Sequence, residues 1–139
     1  MFLSALRNMI EPEDINYIDL DIMKKMCHPI AVTLFDSARE PMTKFDDHEI
    51  APLESALNGP RHSFGGQEIY PTFTKKAAAL YYGIIKNHPF KNGNKRTATA
   101  TLLVFLFINK FWIDNEKEIE DYLVDLARRV ATSKGAEDR

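Results

Sequence analysis

Residues 88–96 concentrate side chains that could do chemistry on a phosphate. The segment reads His-Pro-Phe-Lys-Asn-Gly-Asn-Lys-Arg and lies between two largely apolar stretches. A helix is predicted to begin near Gly93, and its first backbone N–H groups have no partner within the helix, so they can bind an anion. Lys95 and Arg96 lie in the first turn, where positive charge opposes the helix dipole. A bound phosphate explains these two cations better than helix stability does.

His88 precedes this predicted anion site and carries a side chain that can exchange a proton near neutral pH. A general base beside a phosphate site is the pairing needed to move a phosphate-containing group onto a hydroxyl. Gly93 would let the backbone approach a ligand closely. These residues alone leave a structural alternative open, because Gly-Asn loops before helices are common and a His-Pro pair is usually a simple connection.

Apolar residues recur at helical spacing over most of the chain, which predicts an all-α bundle. The predicted helices run from Asp19 to Ser37, from an Asp46 N-cap to Asn58, from Thr72 to Asn87, from Gly93 to Asn109, and from Asn115 onwards. Pro29 is expected to kink or break the first helix, because proline lacks a donor and clashes with the preceding turn. Residues 59–72 interrupt the pattern and predict a small β-hairpin around two glycines.

Three residues of the second predicted helix, Ile50, Leu53 and Leu57, are expected to face the core. The second half of the helix after Gly93 is apolar all round, which is typical of a helix at the centre of a fold. The lone Cys27 has apolar neighbours and is expected to be a buried, inert thiol.

The composition predicts one folded domain over residues 1–139. The chain is 45% hydrophobic and 27% charged with a net charge of −2, which is unlike a disordered segment or a basic nucleic-acid binder. No apolar run is long enough to span a bilayer, and the N-terminus lacks the pattern of a signal peptide. We therefore expect a cytoplasmic protein that engages neither membrane nor nucleic acid.

The loop resembles the signature of the Fic/Doc family, H-P/x-F-x-D/E-G-N-G/K-R, which lies between two helices of an α-helical fold. The matching positions are His88, Phe90, Gly93, Asn94, Lys95 and Arg96. Six fixed positions in one short segment make a far more specific match than a lone glycine motif. Lysine at position 95, where Fic AMP-transferases usually have glycine, resembles the Doc (death-on-curing) toxin branch. The resemblance covers roughly residues 45–113.

The resemblance implies a role for each matched residue and an ATP or other nucleoside triphosphate donor. It implies a base at His88, an apolar loop anchor at Phe90, backbone and side-chain phosphate ligands at Gly93 and Asn94, and neutralising cations at Lys95 and Arg96. Residues 59–72 resemble the flap against which such enzymes hold a target protein by strand addition. Arg61 and His62 are candidate ligand contacts there.

Two positions depart from the family pattern. Asn92 occupies the place of the metal-binding carboxylate, so it is a candidate nucleotide contact and only a weak candidate ligand for a weakly held Mg²⁺. Thr99 stands where Fic AMP-transferases have a second arginine. Residues 133–137 fit part of the family's inhibitory motif, but Thr99 offers that motif no arginine. Inhibition is therefore expected from a separate antitoxin-like partner.

These observations leave several functions open. The first is a Doc-like enzyme that phosphorylates a protein hydroxyl, and Doc-like kinases act on a translation elongation factor. The alternatives are an AMP-transferase of the Fic type and a non-catalytic nucleotide-binding module. A helical nucleic-acid binder using Lys91, Lys95 and Arg96 is the weakest, because the net charge is negative.

Overall fold

The computed structural model describes residues 14–111, and the helix predicted from Asn115 and the segment 133–137 lie outside them. Its main helices are α1 (Leu20–Ile22), α2 (His28–Phe35), α3 (Ile50–Asn58), α4 (Phe73–Asn87) and α5 (Asn94–Ile108). A π-helical segment, Met23–Cys27, joins α1 to α2, and 3₁₀ turns cover Phe45–Asp47 and Gly59–Arg61. Strands β1 (Ser63–Phe64) and β2 (Gln67–Glu68) form the described sheet. The predicted all-α fold with a small hairpin is confirmed.

The sequence predicted that Pro29 would kink or break the first helix, but the chain remains helical through this residue. Asp19 caps α1 by accepting a hydrogen bond from the N–H of Ile22 at 2.8 Å. The helix then widens to π geometry over Met23–Cys27, and Pro29 falls in the first turn of α2. A first-turn proline needs no intrahelical donor, so the chain continues as helix through this position.

The start of α3 was also predicted wrongly. Asp46 lies in a 3₁₀ turn and caps nothing in α3, whose N-cap is Glu49, without a side-chain cap. Ile50 is 65% exposed, whereas Leu53 and Leu57 are buried as expected. The N–H of Glu49 donates to the carbonyl of Pro89 at 2.8 Å, so a tertiary contact occupies the position at which this helix begins.

The hairpin forms where two glycines were expected to turn the chain. Gly65 and Gly66 have φ angles of 60° and 81°, a left-handed conformation that glycine adopts without steric cost. Ser63 pairs with Glu68, and Phe64 with Gln67. Two-residue strands are marginal by themselves, so contacts outside the hairpin must fix its orientation.

Helices α4 and α5 pack together at the centre of the described fold. Thr72 caps α4 by accepting from the N–H of Lys75 at 3.2 Å. Phe73 stacks on Phe105 and Phe111 with ring centroids 4.9 and 4.5 Å apart, and these apolar surfaces supply much of the driving force for packing. The order of the two helices along the chain leaves the loop of residues 88–93 between them.

Cys27 is fully buried, as expected. Burial raises the pKa of its thiol to about 12, because the thiolate would lose its hydration there. The thiol is therefore an inert part of the core. Within residues 14–111, no helix has the length and apolar character needed to cross a membrane.

Candidate active site

His88 ends α4 in a left-handed conformation with φ 54° and ψ 53°. Its N–H still donates to the carbonyl of Ile84 at 3.2 Å, which closes the last turn of the helix. Histidine is among the residues that tolerate this region best, and the following Pro89 cannot continue a helix. The chain therefore turns sharply at His88, and the half-buried imidazole stands at the corner between α4 and the loop.

Asn94 holds the loop closed through its side chain. Its Oδ1 accepts from the N–H of Phe90 at 3.0 Å, and its Nδ2 donates to the carbonyl of Phe90 at 2.7 Å. The Asn94 side chain is fully buried. This differs from the side-chain phosphate ligand that the family resemblance implied, because both polar atoms are committed to the Phe90 backbone. A phosphate would meet the backbone N–H of Asn94 at the start of α5.

A cluster of aromatic rings surrounds Phe90 of the loop. Phe90 is buried, with the rings of His28, His48 and Phe45 at 5.3, 6.0 and 6.3 Å. His28 Nε2 lies 2.8 Å from the carbonyl of Thr43, and His48 Nδ1 lies 2.6 Å from that of Phe45. Nothing in the sequence indicated this cluster, because His28, the turn with Phe45 and His48, and Phe90 are far apart along the chain.

Residues 36–43 form a strap that crosses the loop. Thr43 binds Asn92 twice: its Oγ1 accepts from the Asn92 N–H at 2.8 Å, and its N–H donates to the Asn92 carbonyl at 3.4 Å. A Cβ on Gly93 would lie 3.0 Å from Cε of Met42. The φ of Gly93 is 91°. Glycine is thus favoured by its backbone conformation and by Met42, and the close ligand approach expected from sequence stays a prediction.

Arg96 is held by one backbone oxygen of the strap and one at the end of α2. Its Nη1 donates to the carbonyls of Glu40 at 2.6 Å and Phe35 at 3.3 Å. Lys95 is half-buried in the same turn, and its carbonyl accepts from the hydroxyl of Thr99 at 2.9 Å. Two cationic residues therefore belong to the first turn of α5, whose leading N–H groups have no intrahelical acceptor. This end of the helix combines fixed dipoles and positive charge, as phosphate binding requires.

The flap candidates do not share these contacts. The guanidinium of Arg61 lies over the ring of Tyr17, 4.6 Å from its centroid. The backbone of His62 donates to Gly59 at 3.1 Å and accepts from Ile69 at 3.0 Å, which continues the hairpin by one bond. Both residues are exposed in the flap. His88 therefore lies at the start of the loop and Lys95 and Arg96 in the first turn of α5 that follows it, whereas Arg61 and His62 lie on the flap.

Metal ligands are sparse in this region. Residues 14–111 contain no cluster of three or more His, Cys, Asp or Glu side chains that could hold a metal ion. The loop itself offers the neutral amide oxygen of Asn92. Mg²⁺ usually takes one or two carboxylates together with phosphate oxygens and water, so the protein ligands here fit the ion poorly.

Comparison with known proteins agrees with this loop and helical frame. The model of the Fic/DOC family matches residues 13–106. Over 80 residues, the chain is 38% identical to "Toxin Doc" of Mycolicibacterium smegmatis (strain ATCC 700084 / mc(2)155), covering 58% of this chain and 61% of that relative. The match thus spans less than two thirds of the relative's length. No solved structure matches the chain. Because the family model covers most of the chain, including the loop and both flanking helices, the protein belongs to the Fic/Doc family.

Proposed function

We propose that this protein transfers the γ-phosphoryl group of ATP to a hydroxyl side chain of a target protein, as a Doc-like toxin. The observation that carries the proposal is the arrangement of the loop. An imidazole stands at its start, and a helix N-terminus flanked by Lys95 and Arg96 stands at its end. The similarity to a Doc toxin supports the same choice. Lysine at position 95 and the absence of an arginine at position 99 weigh against AMP transfer.

The chemistry follows from these groups. The acceptor hydroxyl gives its proton to the imidazole of His88 while its oxygen forms a bond to the γ-phosphorus. The bond between that phosphorus and the β–γ bridging oxygen breaks, and ADP leaves. The backbone N–H groups at the start of α5 and the charges of Lys95 and Arg96 stabilise the phosphoryl oxygens as negative charge shifts. Mg²⁺ bound with the nucleotide would neutralise further phosphate charge.

The flap is proposed to hold the target protein. Phe64 on β1 is 85% exposed, so its ring is available to pack against an apolar group of the target. A translation elongation factor is the first acceptor to test, since Doc-like kinases act on such a factor. We also propose that this enzyme works in the cytoplasm and that a separate antitoxin-like protein inhibits it.

Transfer is tested with ATP carrying radiolabel at either the γ or the α phosphate, with a purified translation elongation factor as acceptor. Label from the γ position on the acceptor is the expected result. Label from the α position instead would assign the AMP-transferase activity. Measurable ATP binding with no label on either the factor or the proteins of a cell lysate would make the protein a binding module.

Replacing Asn92 with aspartate is expected to lower the Mg²⁺ concentration needed for half-maximal activity. The substitution keeps the size of the side chain and adds a charged oxygen beside the nucleotide phosphates, which is the ligand that Mg²⁺ prefers. Asn92 is only half-buried, so the new carboxylate remains solvated. The measurement is a Mg²⁺ titration of label transfer. Asn58→Asp, an exposed change in α3, is the matched control for added charge. An unchanged requirement would show that residue 92 does not face the metal.

A further inference from the structure

Lys76 is a fully buried lysine on α4. It lies on the same inner face of this helix as Phe73 and Leu80, both also buried. An ammonium group removed from water is strongly unfavourable unless other charges and oxygens compensate it. The proposed transfer reaction does not use this charge, so its partners indicate what it does.

The ammonium of Lys76 is compensated by two parts of the flap. Nζ donates to the carbonyl of Pro60 at 2.9 Å and to Oε1 of Glu68 at 2.5 Å. It also lies 5.5 Å from the ring centroid of Tyr17, whose π face attracts a cation. Arg61 lies over the same ring, so the base of the flap and α4 meet at one aromatic side chain.

The two oxygens that bind Lys76 come from two separate parts of the flap. Pro60 belongs to the turn that leads into β1, and Glu68 belongs to β2, opposite Ser63. One buried cation therefore ties the start of the flap and its second strand to α4. The strands contribute only two residue pairs. Since such a hairpin does not hold its own orientation, Lys76 is in a position to set it.

The same helix ends at His88. It therefore carries both Lys76, which binds the flap, and the proposed base. We propose that Lys76 is a positioning residue that, through Glu68 and Pro60, fixes the position of the flap relative to His88. It thereby sets the register in which a target hydroxyl reaches the imidazole. This inference rests on the proposed function, in which the flap holds the acceptor protein. A purely structural ion pair would stabilise the fold but would not govern acceptor use.

The test compares Lys76→Met with Lys75→Met in the full chain. Methionine keeps the apolar stem of Lys76 without its charge, and the neighbouring Lys75 is exposed, so its variant is the matched control. For Lys76→Met we expect amide hydrogen exchange in residues 62–69 to accelerate about tenfold, with exchange in α4 little changed. The KM for a purified translation elongation factor should rise by about tenfold, while the KM for ATP stays constant. Lys75→Met should resemble the unmodified protein in each measurement.

A second variant covers the case in which Lys76→Met does not fold. Glu68→Gln keeps an oxygen for Lys76 but removes the opposite charge, at a side chain that is one-third exposed. It should move flap exchange and the acceptor KM in the same direction by smaller factors. If a folded Lys76→Met or Glu68→Gln variant showed unaltered amide hydrogen exchange in the flap, the inference that Lys76 fixes the flap would be wrong. Altered exchange with an unaltered acceptor KM would make the pair merely structural. An unmodified protein that labels nothing would overturn the proposed function instead, and flap exchange would still decide whether Lys76 holds the hairpin.

Discussion

Replacing His88 with alanine is expected to lower the rate of phosphoryl transfer by about 10²–10⁴-fold, the usual contribution of a general base. The hydroxyl oxygen must lose its proton as it bonds to phosphorus, and alanine offers no group to take it. Binding of ATP should change little, because the phosphates are proposed to sit at the start of α5. The measurement is the kcat of label transfer together with the Kd for ATP.

The fold should survive this substitution. His88 is half-buried at a helix end, so truncation leaves no large cavity and is expected to cost about 1 kcal/mol or less. His88→Asn is the second variant, because asparagine favours the left-handed conformation observed at this corner but is no base near neutral pH. Thermal unfolding should place both variants close to the unmodified protein. Near-normal transfer by either folded variant would remove His88 from the mechanism.

The parts of the fold that sequence predicted well are those with local signals. Gly65 and Gly66 predicted a tight turn between short extended arms, and the hairpin lies there. Thr72 and the His-Pro pair mark the two ends of α4, and the structure places its ends beside them. In each case the residues that specify the boundary also make the bonds that form it, so neighbouring residues suffice.

The parts that sequence could not predict depend on distant contacts. α3 begins at Ile50, and the N–H of Glu49 just before it is bound to the carbonyl of Pro89, a residue of the loop. A Cβ at Gly93 would come into close contact with Met42, a residue of the strap. A glycine before a helix suits close ligand approach and close side-chain packing equally well, and the packing against Met42 depends on a residue far away in the sequence. The same holds for the rings around Phe90, which come from two segments distant from the loop in the sequence.

The strap also changes how Arg96 is understood. From the sequence, Arg96 is expected to be a cation that meets phosphate, and in the structure its guanidinium also donates to the Glu40 and Phe35 carbonyls. Carbonyl oxygens carry no net charge, so the guanidinium keeps its full positive charge while its direction is fixed. The bonds to the strap thus limit the rotamer freedom that Arg96 would otherwise lose on binding a phosphate. The proposed catalytic cation is therefore supported by residues outside the family signature.

The bond pair between Asn94 and Phe90 makes an isosteric change at this position informative. Aspartate would keep the shape of the side chain and could still accept from the Phe90 N–H. It could not donate to the Phe90 carbonyl as Nδ2 does, and an ionised oxygen would then face that carbonyl in a fully buried place. The start of α5 favours a negative charge, but by only about 0.3–1 kcal/mol. An unpaired buried charge costs about 3–5 kcal/mol, so destabilisation should prevail.

Asn94→Asp is therefore expected to lower the free energy of unfolding by about 2–4 kcal/mol, which denaturant titration would measure. Where the variant remains folded, the loop should lose its closed shape. Transfer should then fall by about 10²-fold, because small misplacements of reacting groups are costly. Asn92→Asp is the matched control: it adds the same charge to the same loop at a half-buried side chain, so its stability should change by about 0.5 kcal/mol or less. Equal stability of the two variants would mean that the Asn94 amide does not hold the loop closed through Phe90.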